Sequence, residues 1–331
     1  MKVSRLVVTL GLVGLASTAA QAQSPQCPGG AALTPAQVSQ DACQQAVDLY
    51  NYMAPQISTA IAGGNATLGQ GGTMGGLGHF SLGVRVNAVA GTLPQVDKFT
   101  QGSNGAQKQT LPTEDNKPVP MPTVDAAFGI FKGIPLGLTN VGGIDLLVNA
   151  AYAQDLSGNN VALTVNGSKY KFGFGARLGL LQESLLVPGV SVTYLKRDLP
   201  VLNITGTSGS NELTVRDLTA KTTAWRLVAS KSLVIFGLAV GVGKDKYENS
   251  AIVHAKVSQS GLSATSTDVQ LNQNLDRTNV FADLSLNLPI FKLVGEIGQV
   301  SGGSVPTYNS FANKAADASR VYGSVGLRLS W

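Results

Sequence analysis

From residue 79 onward the chain alternates between apolar and polar positions. The clearest run is Lys169–Leu180. Tyr170, Phe172, Phe174, Ala176, Leu178 and Leu180 share one parity, and Lys171, Gly173, Gly175, Arg177 and Gly179 share the other. A period of two belongs to a β-strand with one oily face and one wet face. The same alternation predicts strands at His79–Val89, Thr123–Phe131, Val141–Tyr152, Val190–Arg197, Leu213–Ala229, Phe236–Gly243, Asn279–Asn287, Phe291–Val300 and Arg320–Trp331. The pattern gives about ten strands and admits ten to fourteen.

The connections alternate in length. Short ones fall near 132–140, 181–188, 230–234 and 288–290, and long polar ones near 91–119, 153–168, 198–212, 248–276 and 301–318. Val253, Ala255 and Val257 alternate within one long stretch, so strands are expected to extend above a membrane there. Outer-membrane barrels pair tight periplasmic turns with long extracellular loops. A soluble sandwich also alternates, but the long apolar faces, the uneven connections and the aromatic last strand favour a barrel. The expected fold is therefore all-β, a closed antiparallel transmembrane β-barrel preceded by an N-terminal helical segment. Closure follows from the solvent, because an unpaired edge in hydrocarbon leaves backbone groups without partners at a cost of several kcal/mol each. An even strand count puts both ends of the chain in the periplasm. Tyr152, Tyr170, Tyr194, Trp225 and Trp331 fall near strand ends, where interfacial girdles sit.

Composition fits this picture. Charged residues make up only 13% of the 331 residues, and glycine contributes 39. Mean hydropathy is only +0.14, because alternation hides oily faces in an average. The net charge of +5 has no basic run behind it, so no nucleic-acid partner is expected. The expected partners are outer-membrane lipid and a possible small solute, and the expected location is the bacterial outer membrane.

Three units are expected. Residues 1–22 read as a signal peptide: Lys2 and Arg5, a short apolar core over Leu6–Ala16, and Ala20-Gln21-Ala22 before a start at Gln23. Residues 23–78 form a periplasmic or plug segment, and residues 79–331 the barrel. Cys27 and Cys43, in an exported chain, are expected to form a disulfide. Neither a metal nor a cofactor is expected, since two cysteines without a nearby histidine make a poor metal site. Thr34-Pro35-Ala36-Gln37 reads as a capped helix start, followed by a stripe from Ala42 to Ile61. Pro55 should kink or split this helix, and Gly63-Gly64 should end it. Packing beneath the periplasmic rim is the favoured placement, with a plug inside the barrel as the other. The glycine-rich stretch 63–78 lacks the P-loop pattern and reads as a flexible lead into the first strand.

Val325, Leu327, Leu329 and Trp331 stand at alternate positions behind Gly323. In this the chain resembles bacterial outer-membrane β-barrel proteins, whose last strand is read by the barrel assembly machinery; the resemblance implies that machinery as a partner. Members usually end in Phe, and Trp331 departs from that. The helix before the first strand is similar to the plugging segment of the fatty-acid transporter branch. The Asn-Pro-Ala segment of that branch is absent and the strands are too few, so no binding residue is carried over.

If apolar positions face lipid, the other parity faces the lumen. That set holds Arg85, Lys171, Arg177, Arg197, Arg226, Arg320 and Arg328, with Asp125, Asp145, Asp283 and Glu296. One expectation is a mutual ion-pair network that fills a narrow barrel, since lone buried charges are costly. The other is a narrow, porin-like pore preferring anions. Ten strands enclose a backbone diameter of roughly 20 Å. Inward glycines such as Gly129, Gly179 and Gly326 either leave room for a solute or plug, or permit curvature. The functional expectation is a passive channel or uptake protein for small solutes; the alternative is a structural or surface-binding barrel with a sealed lumen. Catalysis is not expected, because His79 and His254 have no visible base–orienter partners.

Overall fold

A computed structural model describes residues 24–32, 34–158, 160–259 and 262–331. The expected signal peptide lies outside the described residues. Ten strands close into one ring. They are β1 (Phe80–Pro94), β2 (Thr113–Phe131), β3 (Gly143–Tyr152), β4 (Tyr170–Leu181), β5 (Gly189–Asp198), β6 (Asn211–Ser232), β7 (Phe236–Gln259), β8 (Val269–Asn287), β9 (Lys292–Ser301) and β10 (Arg320–Ser330). Each pairs antiparallel with the next, and β10 pairs with β1 through Val84↔Leu327 and Val86↔Val325. The expected barrel is thus observed at the lower end of its strand range. Phe80, Leu82, Val84, Leu238, Val240, Leu284 and Val325 are exposed on its outer wall. Tyr152 packs on Tyr170 with centroids 5.0 Å apart, and Tyr194 on Trp225 at 4.6 Å, forming one girdle. At the other end Trp331 stacks on Phe80 at 4.8 Å.

Several strands run far past this oily band, and there their hydrophobic phase inverts. On β7, Phe236, Leu238, Val240 and Val242 face outward. Beyond Gly243 the outward positions become Lys244, Lys246 and Glu248, while Tyr247, Ala251, Val253, Ala255 and Val257 are buried inside. The register with β8 is unbroken from Phe236↔Leu286 to Val253↔Val269, so the strand keeps its faces and only the solvent has changed. Lipid covers the lower wall; water covers the upper wall, whose inside becomes an ordinary hydrophobic core. The supposed loop 248–276 is largely this hairpin. In the supposed loops 153–168 and 198–212, short strands Val161–Val165 and Leu202–Ser208 widen the same sheet.

That upper core is built around α1 (Pro35–Ala62), about 42 Å long at 1.5 Å per residue. The helix packs on β6 and β7, and Ala42, Ala46, Tyr50, Ile57 and Ile61 are buried. The expected placement beneath the periplasmic rim is therefore corrected: the helix stands inside the barrel's extracellular extension. It needs an apolar cover, and only the inverted upper wall supplies one. Residues 63–79 then descend through the lipid-level lumen to the start of β1. The segment near residue 24 accordingly lies at the extracellular end, against the expectation of two periplasmic ends.

Thr34 caps α1, accepting from the Gln37 N–H at 3.4 Å, and the Gly63 N–H closes the last turn on Thr59 O. Pro55 does not split the helix. Its missing N–H leaves Asn51 O without a helical donor, and Gln273 from the β8 wall supplies one at 3.1 Å. Thr59 Oγ1 in turn donates to Pro55 O at 2.8 Å. A Gln273→Ala variant is expected to lose about 1–3 kcal/mol by orphaning that carbonyl. The check is a denaturant midpoint measured against the Gln273→Glu variant, which also lacks the donor.

Candidate functional site: a lumen clamped on its own chain

The lipid-level lumen holds the glycine-rich segment, gripped through its backbone. Arginines from the wall donate to its carbonyls in sequence. Arg197 donates to Ala62 O, Arg226 to Gly63 O at 3.0 Å and Gly64 O at 3.1 Å, and Arg85 to Asn65 O at 2.7 Å. Further down, Arg328 donates to Leu68 O and Arg177 to Gly72 O at 2.6 Å. Wall acids take the N–H groups. Glu296 accepts from Gly64 at 3.2 Å and Asn65 at 2.6 Å, Asp283 from Gly69 at 2.8 Å, and Asp145 from Met74 at 3.0 Å. These arginines and acids stand at inward positions because alternate strand residues share a face.

The same groups pair with each other. Arg85 meets Asp125 at 2.7 Å, Arg177 meets Asp145 at 3.4 Å, Arg197 meets Asp125 at 3.7 Å, and Arg226 meets Asp245 at 2.5 Å. The structure thus brings together Arg85, Asp125, Asp145, Arg177, Arg197, Arg226, Asp283, Glu296 and Arg328 from the expected set. Arg320 also points inward but sits higher, against the Tyr52 ring at 5.6 Å and Thr92 Oγ1 at 3.3 Å. Lys171 is corrected: it is exposed. The β4–β5 ladder ends at Lys196↔Phe174, so Lys171 lies beyond that pairing, where the wall opens. Asp245, Asn279, Tyr322 and Arg277 were missed. Asp245 is fully buried, and Asn279 bridges it to Gly63 O at 3.0 and 2.9 Å. Carrying the Phe236–Gly243 alternation two residues further would have found Asp245.

The glycines follow from this grip. A Cβ on Gly64 would press on the Glu296 carboxylate and the Tyr322 hydroxyl; one on Gly71 would lie 2.7 Å from the Ser230 backbone nitrogen. Inward wall glycines leave the matching space: Gly326 faces Leu68, Gly179 faces Thr73, and Gly129 faces the backbone of Gly76. What read as a flexible lead is a filled seat. Beside Arg85, Asp125 and Leu68 one hollow of about 10 Å³ has room for about one water. Larger hollows lie toward the two ends, the lower one reaching the clamp residues Gly69, Gly72 and Arg328. One of about 460 Å³ opens among extracellular residues such as Lys108, Tyr308 and Phe311. Another of about 400 Å³ opens at the periplasmic mouth by Gln70, Gln182 and Glu183.

Above the membrane, α1 anchors the loops. Asp41 accepts from the Gly102 and Gln107 N–H groups at 2.8 and 3.0 Å. Asp48 accepts from the Tyr308 N–H at 3.0 Å, and from the Asn309 N–H and Nδ2 at 2.9 Å each. Burial pushes the Asp48 carboxyl up to about 6, against these hydrogen bonds, and raises Asp41 as well. A carboxyl whose folded pKa is raised binds its proton more tightly when folded. Its contribution to stability is therefore favourable below the unfolded value of 3.8 and is lost as pH climbs to about 6. Unfolding midpoints across pH 4–7 are expected to fall more steeply for the native chain than for Asp48→Asn. Cys27 and Cys43 form the expected disulfide at this outer end.

No protein-family model and no curated protein matches the sequence. Among solved structures, the transport unit of the autotransporter AIDA-I from Escherichia coli is similar at 9% identity. That likeness covers 86% of this chain and 99% of the other, with a TM-score of 0.38. The CymD monoaromatic hydrocarbon channel is similar at 12% identity over 83% and 97%, with a TM-score of 0.27. Ail, the attachment invasion locus protein of Yersinia pestis, is similar at 10% identity over 77% and 99%, with a TM-score of 0.19. The assignment rests on the molecule's own geometry. With a closed ten-stranded antiparallel ring and an oily outer band, this chain has the fold of a transmembrane β-barrel of the outer-membrane type.

Proposed function

We propose that this protein is a sealed barrel that acts through its extracellular superstructure, holding a rigid β-scaffold above the membrane to contact other molecules. The observation behind this reading is the arginine ladder on the carbonyls from Ala62 to Gly72. It fills the lumen where a solute would have to pass. The extension built from β6, β7 and β8 around α1 supplies the second half of the argument, because a bare pore needs no hydrophobic core above the lipid. In this reading the chain has no catalytic role. The outward row Val325, Leu327, Leu329 and Trp331 is the contact for the assembly machinery during insertion.

The passive-channel reading differs in one consequence: the clamped segment would have to leave. Planar-bilayer recording separates the two. The full chain is expected to be electrically silent, and steady single-channel current would overturn the sealed reading. A chain lacking residues 24–78 serves as the positive control, and its conductance is expected to be stable and ohmic.

A further inference from the structure

The periplasmic turns do not look like water-facing turns. Each carries a large aliphatic side chain at its tip. Leu136 is 68% exposed, Leu185 91%, Val234 95% and Ile290 79%. Together they ring the lower mouth. Scattered apolar residues on a surface need no explanation, but a contiguous patch does.

The oily band above them is uneven in height. On β7 it runs from Phe236 to the first outward charge, Lys244; on β3 from Ile144 to Tyr152; on β1 from Phe80 to Ala88. Each is eight residue steps, whereas the β4 row from Tyr170 to Leu180 and the β10 row from Val321 to Trp331 run ten. At 3.3 Å per residue and a tilt near 40°, that is about 20 Å of height on the shorter strands and about 25 Å on the longer ones. Barrels of this class present an apolar band of about 25 Å. The shorter strands fall about 5 Å short, and the turn tips stand two to five residues beyond the nearest strand ends. The tips are continuous with the lipid-facing wall and make up the missing height.

The turn backbones are also prepared for a dry setting. Leu233 N–H donates to Phe236 O at 2.6 Å, Leu288 N–H to Phe291 O at 3.0 Å, and Ser184 N–H to Val187 O at 3.0 Å. Asn287 Nδ2 donates to Leu233 O at 3.0 Å. Of the two charges beside these tips, Lys231 turns its amine onto Leu185 O at 2.8 Å and Ser184 O at 2.5 Å, and Glu183 accepts from the Ser232 N–H at 2.5 Å. Ile134–Leu136 pairs with Thr139–Val141 as a ribbon. Paired backbone groups are what hydrocarbon demands and water does not.

We infer that the four periplasmic turns are lipid-anchoring elements whose tips sit among the acyl chains of the inner leaflet, so that phospholipid is their partner. The barrel is seated deeper than its strands alone would place it.

The test uses the full chain with its disulfide intact, so that an added cysteine is the sole free thiol. Val234→Cys, Leu185→Cys and Leu136→Cys each receive a polarity-sensitive fluorophore in dioleoylphosphatidylcholine vesicles, with Asn104→Cys in an extracellular loop as the aqueous control. Lipids brominated on their acyl chains are expected to quench all three turn labels at least twofold more than the control, and iodide is expected to quench only the control. Iodide quenching of the turn labels overturns the inference, including the case in which a periplasmic protein covers the tips in the cell. Retained folding of each labelled chain is read from its heat-shifted gel mobility, which these exposed positions should leave unchanged.

Discussion

Replacing Arg226 with alanine should cost about 3–5 kcal/mol of stability, the range for breaking a buried ion pair from one side. Its guanidinium is shut away from solvent, meets Asp245 at 2.5 Å, and donates to Gly63 O and Gly64 O. Removing it leaves the fully buried Asp245 carboxylate with only weaker partners, Asn279 Nδ2 at 3.0 Å and Tyr247 OH at 3.4 Å, and strips two carbonyls of a donor. The double variant Arg226→Ala/Asp245→Ala should be less destabilised than the single one, because no lone charge remains. Equilibrium unfolding in detergent measures both. Equal losses in the single and double variants would show that the arginine acts by filling space alone.

The Cys27→Ser/Cys43→Ser variant carries the next largest expected effect. The bridge closes a stretch with a sequence separation of 16, for which loop entropy gives about 3 kcal/mol. The loss should be local. Cys27 and Cys43 are buried at the outer end of α1, where the Gln26 and Cys27 N–H groups donate to Gln44 Oε1 at 2.7 and 3.4 Å. Added protease should therefore cut the variant within residues 24–34 while the barrel survives, with limited proteolysis and mass spectrometry as the readout. Cleavage spreading into residues 63–78 would mean that the bridge also holds the lumen segment in place.

The lower half of the molecule was legible in the sequence because one rule governs it. Below the girdle every outward residue meets lipid, so Phe236, Leu238 and Val240 announce a strand, and Arg85, Arg177 and Arg226 fall on the inward parity. Above the girdle the rule reverses. Tyr247, Val253 and Leu271 turn inward while Lys246 and Asn272 turn outward, so a search for outward oil reads polar loop where strand continues. The plug, expected from the sequence only as the other placement, was hard to read for another reason. Most of its grip is on backbone atoms of residues 62–74, which carry no residue-type signature beyond the glycines that allow close approach. Pro55 misled in a third way: the donor that repairs its helix, Gln273, lies on β8 and has no local signature. The arginines stand on the inward parity, but their main partners are carbonyl oxygens, and amide acceptors are invisible in a count of charges.

The seam between β1 and β10 makes the plug a captive. The segment that precedes β1 runs up the bore to the far mouth, where a helix and a bridged loop stand wider than the filled passage below them, about 20 Å across between backbones. With Phe80 and Trp331 zipped together, the folded plug cannot be withdrawn without either unravelling α1 or reopening that seam.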